Sequence, residues 1–160
     1  MQIIDRLRTM RLRFTLGNIG FGSIIKGGFS YNYPKTIYLH NFVTINDNVT
    51  IYGKGGVEIG DNCMLAPGCR LISGGHMIDG FRKEDILQSQ PSTSGQIILD
   101  GNNFIGANVV ILEDCTIGYG AVIGAGSVVT KGTHIPSGAV AAGIPAKVIR
   151  MRKFTTTEVQ

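Results

Sequence analysis

Three histidines and three cysteines are the side chains of this sequence best suited to chemistry near neutral pH. An unperturbed imidazole titrates at about 6.5, so it serves as a general base or a general acid. His76 is set apart by context, because it closes the run Leu71-Ile-Ser-Gly-Gly-His76 at the point where regular apolar sequence gives way to a polar stretch. His40 and His134 lie within the regular sequence. Cys63, Cys69 and Cys115 show no CxxC or other zinc spacing and cannot all pair, which suits reduced thiols used for packing. No serine or cysteine stands obviously beside a base, as a nucleophile would require. The chemistry on offer is proton transfer by one imidazole.

Positioning that imidazole is the task of a repeat with a period of six. From Leu99 the aliphatic positions run Leu99, Ile105, Ile111, Ile117, Ile123, Val129, Ile135 and Ala141 without a slip. Upstream, Leu39, Ile45 and Ile51, then Ile59, Leu65 and Leu71, keep the same beat, broken by a two-residue insertion at Gly55 and Gly56. Six is a multiple of the strand period but not of 3.6, so these residues would drift around a helix instead of forming one stripe. Short strands joined by tight turns satisfy the pattern: each hexad makes one wall of a coil, and three walls close a turn. The spacing predicts a parallel β-helix of about five turns, about 24 Å tall at the spacing of neighbouring strands.

Four residues after each aliphatic position comes a mostly small corner residue, among them Asn103, Cys115, Ala121, Ser127 and Ala139. All three cysteines fall on corners, which predicts that they point inward. Residues just before each aliphatic face outward and sort by wall. One wall reads Thr44, Met64, Phe104, Val122 and Val140; another reads Tyr38, Glu58, Ile98, Thr116 and His134. The first is the more apolar and is the expected contact between subunits. Between Leu71 and Leu99 one hexad is replaced by a long polar segment, Gly74 to Gly95, read as a loop extruded from one corner.

The chain has 160 residues, 43% hydrophobic and 16% charged, enough for one domain and too apolar for disorder. It divides into an N-terminal helical cap (1–18), the β-helix (19–145) carrying loop 74–95, and a C-terminal cap and tail (146–160). Ile3, Leu7, Met10 and Phe14 share one helical face, which predicts a helix closing the open end of the prism or touching anionic lipid weakly through its arginines. Residues 146–153 read as a short basic helix after Pro145. The basic residues gather at the two ends, a distribution suited to local phosphate groups and unlike a nucleic-acid track. With no apolar run of membrane-spanning length and no apolar signal region, a cytoplasmic location is expected. Asn48-Val-Thr50 matches a glycosylation sequon that such a location leaves idle. The glycines 118, 120 and 124 miss the dinucleotide-binding spacing.

The stretch Ile105-Gly-Ala-Asn-Val-Val-Ile111, the run Val122-Ile-Gly-Ala-Gly-Ser-Val-Val-Thr-Lys131 and Ala142-Gly-Ile-Pro-Ala-Lys-Val-Ile-Arg150 together resemble the hexapeptide-repeat acyltransferases. The motif order is similar to the branch holding galactoside and maltose, streptogramin and surface-polysaccharide O-acetyltransferases. The resemblance implies a left-handed β-helix, whereas the general rule for parallel crossovers would give a right-handed one. It also implies a homotrimer and transfer of acetyl from acetyl-coenzyme A (acetyl-CoA) to a hydroxyl of a sugar-containing acceptor, without metal. On the same footing His76 takes the place of the catalytic base, and Asn46 and Phe104 those of acceptor contacts, Phe104 standing where tryptophan is frequent. Ala107, Ala125, Thr130 and Lys131 fall on positions lining coenzyme A, with Lys147 and Arg150 near its phosphates. Two extra residues in Gly132-Thr-His-Ile-Pro136 depart from the family spacing. Alternatives left open are acetylation of an amino group on a sugar or antibiotic, and a non-catalytic scaffold; a zinc carbonic anhydrase would need closely spaced histidines.

Overall fold

The computed structural model describes residues 3–155. The chain winds into a left-handed parallel β-helix with three walls. Wall one stacks Asn18–Ile19, Ile37–Leu39, Val57–Ile59, Ile97–Leu99, Cys115–Ile117 and His134–Ile135. Wall two stacks Ile24–Ile25, Thr44–Ile45, Met64–Leu65, Phe104–Ile105, Val122–Ile123 and Ala139–Gly143. Wall three stacks Ser30–Asn32, Thr50–Tyr52, Arg70–Ile72, Val110–Leu112 and Val128–Val129. Apart from Ala139–Gly143, each of these strands is two or three residues long because a corner must follow, and many corners place Gly, Asn or Asp at positive φ, as at Asn48, Asn62, Asn102, Asn108 and Asp114.

The hexad aliphatics fill the interior. Ile45, Leu65, Ile105 and Ile123 from wall two meet Leu39, Ile59, Leu99 and Ile117 from wall one, all fully buried. The corner cysteines Cys63, Cys69 and Cys115 are buried in the same core, as expected. Register bears out the sorting of outward residues: Thr44 pairs with Met64, Met64 with Phe104, Phe104 with Val122 and Val122 with Val140. Tyr38, Glu58, Ile98, Thr116 and His134 form the matching row on wall one.

The column is longer than the hexad count suggests. An additional course begins at Asn18, pairing Asn18 with Tyr38 and Ile24 with Thr44, so there are about six turns instead of five. Its wall-three position is Tyr31, a partly buried aromatic stacked on Phe29, which hides the aliphatic beat.

The N-terminal cap is the helix expected, docked by a different face, whereas the C-terminal cap differs. The N-terminal helix spans Ile3–Leu12, but Ile3, Leu7 and Met10 are exposed, as is Phe14 beyond it. The helix docks instead through buried Thr9, whose hydroxyl donates to the Asp5 carbonyl at 2.8 Å and accepts the Ile25 N–H at 2.9 Å. At the other end, Ala146–Met151 is a strand and not a helix. It folds back antiparallel on Ala139–Gly143. The last rung of wall two would otherwise leave a row of unpaired N–H and C=O groups, and pairing that edge outweighs the helix propensity of Ala, Lys, Arg and Met. The remainder of the expected C-terminal tail, 156–160, lies outside the described residues, as do residues 1 and 2.

Candidate active site

The extruded segment is more ordered at its base than a simple loop. Gly74–His76 pairs antiparallel with Ser92–Ser94, Gly75 opposite Thr93 and His76 opposite Ser92. Ser73 fixes the exit from the column. Its hydroxyl donates to the Tyr52 carbonyl at 2.8 Å and accepts the Gly55 N–H at 3.0 Å.

This ribbon holds His76 exposed above wall three, on the side of the edge shared with wall one. Its Nδ1 lies 3.3 Å from the Gln90 carbonyl oxygen. A carbonyl only accepts, so Nδ1 carries the hydrogen and the neutral ring presents its lone pair at Nε2, the form a general base requires. On one side of the ring a cleft of about 530 Å³ is lined by Ile72, Met77, Ile78, Leu112 and Lys131 among others. On the other, a groove of about 370 Å³ is lined by Asn32, Thr50, Tyr52 and Lys54. His76 belongs to both.

Under the ribbon lies a residue that the sequence reading missed. Glu113 is buried, and its Oε1 accepts the Thr93 hydroxyl at 2.7 Å and faces Lys131 Nζ at 2.6 Å. Burial alone would raise its carboxyl pKa; the Lys131 ammonium, the Thr93 hydroxyl and the charge of Lys54 together hold it below the usual carboxylate value. A signal existed. Val110 pairs with Val128, so Glu113 and Lys131 occupy equivalent corner places one course apart.

The other expected site residues divide by location. Thr130 and Lys131 share the wall three to wall one corner with Glu113, and the Thr130 and Thr133 hydroxyls are 3.3 Å apart. Asn46, Ala107 and Ala125 line the opposite edge of wall three, at its corner with wall two. The Asn46 amide is engaged there, donating to the Leu65 carbonyl and accepting from Lys26 Nζ, each at 2.8 Å. Lys147 stands opposite Ala142 and Arg150 opposite Val140 on the returning strand. Phe104 is half-exposed on wall two. One chain therefore unites His76 with Lys131 and leaves Asn46, Phe104, Ala107, Ala125, Lys147 and Arg150 elsewhere on the column.

The thiols take no part in this arrangement. Burial pushes Cys63 up to about 11 and raises Cys69 and Cys115 as well, so none is a ready thiolate. Among the described residues no group of three or more His, Cys, Asp or Glu is placed to hold a metal ion. No helix among them is long and apolar enough to cross a membrane.

The family described as bacterial transferase hexapeptide (six repeats) matches residues 97–131. Comparison with curated protein sequences gives no match. Among solved structures, a galactoside acetyltransferase in complex with coenzyme A superposes with a TM-score of 0.83 at 33% identity, covering 91% of this chain and 70% of that one. A hexapeptide-repeat acetyltransferase from Vibrio cholerae gives 0.84 at 27% identity, covering 96% and 84%, and has also been solved with acetyl-CoA. A maltose O-acetyltransferase from Clostridium difficile 630 gives 0.70 at 29%, covering 96% and 79%.

Proposed function

The chain belongs to the hexapeptide-repeat acetyltransferases, and from that premise we propose that it transfers acetyl from acetyl-CoA to a hydroxyl of a sugar-containing acceptor, with His76 as the base. The observation that carries this reading is the ring's hydrogen bond: Nδ1–H donates to the Gln90 carbonyl, which leaves Nε2 to act as the base, and His76 lines both grooves. One groove is lined by Ile72, Leu112 and Lys131, suited to a pantetheine arm whose methylene and methyl groups pack on apolar side chains and which leads to anionic phosphates. The other offers Asn32, Thr50, Tyr52 and Lys54, suited to a polyhydroxylated acceptor.

The transfer proceeds directly. Nε2 takes the proton of the acceptor hydroxyl as its oxygen bonds to the thioester carbonyl carbon, forming a tetrahedral oxyanion that backbone N–H groups meet. The carbon–sulfur bond then breaks, and the imidazolium returns its proton to the departing thiolate. No covalent acyl-enzyme is needed, consistent with the buried thiols.

We infer that the working unit is a trimer with shared sites. The supporting observation is the division of the family-matched residues between the His76–Lys131 edge and the far edge of wall three with wall two. The half-exposed Met64 and Phe104 of wall two supply an apolar contact surface. Asn46, Ala107 and Ala125 of one chain would complete the cleft of the next, with Lys147 and Arg150 toward the phosphates.

Measuring coenzyme A release from acetyl-CoA across simple sugars, amino sugars and streptogramins tests the acceptor. A hydroxyl-bearing sugar as the best substrate supports the proposal. Preference for an amine supports N-acetylation, and no turnover with any acceptor supports a scaffold.

A further inference from the structure

Glu113 is costly as a packing residue. It is a carboxylate buried against the column, and its Oε2 has no hydrogen-bond partner among the described residues. A buried acceptor left unsatisfied carries a desolvation cost that an apolar side chain of similar size would avoid. The carboxylate's location supplies a reason to keep it. Its Oε1 is fixed by Lys131 at 2.6 Å and holds the Thr93 hydroxyl at 2.7 Å. Thr93 lies opposite Gly75 in the ribbon, immediately before His76. A Cβ on Gly75 would stand 3.4 Å from the Thr93 hydroxyl and 3.9 Å from Glu113 Oε2, so the carboxylate sits directly beneath the strand that presents the imidazole.

We propose that Glu113 is a positioning residue: anchored to the column by Lys131, it clasps Thr93 and thereby sets the height and tilt of the ribbon that carries His76. The Thr93–Glu113 bond ties the returning half of the extruded segment to a column corner, while the His76–Gln90 bond ties the ring to that same half. Loosening the clasp moves the imidazole without touching it. Lys131 is in this account a structural counter-ion as well as a cleft residue.

The inference rests on the reading of His76 as the base, and the experiment separates the two. Four variants, Glu113→Gln, Thr93→Val, the double variant and Thr93→Ser, are compared with the parent by saturation kinetics of coenzyme A release and by the NMR signals of the His76 imidazole. Displacement of a catalytic group by about 1 Å costs on the order of 100-fold. Glu113→Gln and Thr93→Val are expected to lower kcat about tenfold or more, and in Thr93→Val, which leaves the Glu113–Lys131 pair in place, KM for acetyl-CoA should stay within about twofold of the parent. The double variant should lose no more than the worse single one, and Thr93→Ser, which keeps the hydroxyl, should retain parental kcat. The imidazole signals should shift in the first three and stay in place in Thr93→Ser. Parental kcat in Glu113→Gln or Thr93→Val, multiplying losses, or a rise in KM alone overturns the clasp. Should His76→Ala match the parent, the base assignment fails, and the imidazole signals still decide whether Glu113 holds the ribbon.

Discussion

His76 and Gln90 sit at opposite ends of the extruded segment, and the imidazole Nδ1 meets the Gln90 carbonyl at 3.3 Å. The intervening chain thus closes on itself where the reactive ring emerges, and the ring's tautomer is set by a backbone group that cannot titrate. The Met77 N–H donates to the Pro91 carbonyl at 2.9 Å just beyond, extending the pairing that begins at Gly74. A polar segment with few buried side chains is held in shape mainly through its base.

The corners give a paired test of what the turns demand. Gly68 and Gly126 occupy equivalent corners at φ +77° and +69°. A Cβ on Gly126 meets nothing within 4 Å, whereas one on Gly68 collides with Oδ1 of Asn108. Gly126→Ala should cost about 1 kcal/mol, the left-handed backbone penalty alone. Gly68→Ala should cost about 1.5–2.5 kcal/mol, because the Asn108 side chain must also turn out of its rotamer. Chemical denaturation of both variants checks the order; equal losses would contradict the collision.

Stability should respond to acid through Glu113. Its carboxyl is held below the ordinary value of 4.5, so the folded chain binds the proton less readily than the unfolded one. Its contribution is therefore complete above the unfolded value and disappears as pH falls through the lower folded value. Glu113→Gln removes this dependence. The difference in unfolding free energy between parent and variant is expected to shrink steadily below pH 4.5, as measured by denaturant titration. A difference that stays constant down to the acid limit would show that the carboxylate is not held as described.

Association is expected to follow wall two. Sedimentation of the parent at micromolar concentration should give about three times 17.1 kDa. Met64→Glu, which puts a charge in the middle of the Thr44, Met64, Phe104 row, should dissociate the assembly and lower transfer while leaving the monomer folded. A parent that sediments as a monomer, or a fully associated Met64→Glu, would contradict shared sites.

Much of this was legible in the sequence because the interior of a β-helix is written at a fixed interval. Leu65, Ile105 and Ile123 stack in register as their spacing requires, and the same beat sorts Phe104 and Val122 onto one outer row. The break after Leu71 located the ribbon, and Gly-Gly-His located the imidazole. Elements whose structure depends on a partner were less readable. Ala146–Met151 reads locally as a helix, and only the open edge of Ala139–Gly143 makes it a strand. Ile3, Leu7 and Met10 form an apolar stripe, but Thr9 makes the docking bonds. The role of Glu113 arises from Lys131 one course later and Thr93 across the ribbon, a conjunction that no local pattern announces.

The central claim is that the His76 imidazole removes the acceptor proton. The most direct test compares coenzyme A release by the parent and His76→Ala at saturating acetyl-CoA, using the best acceptor from the sugar and amine panel. Loss of such a base should lower the rate by about 10²–10⁴-fold. Because the side chain is exposed, the unfolding midpoint should remain parental. A folded His76→Ala variant that transfers acetyl within about tenfold of the parent would contradict the account.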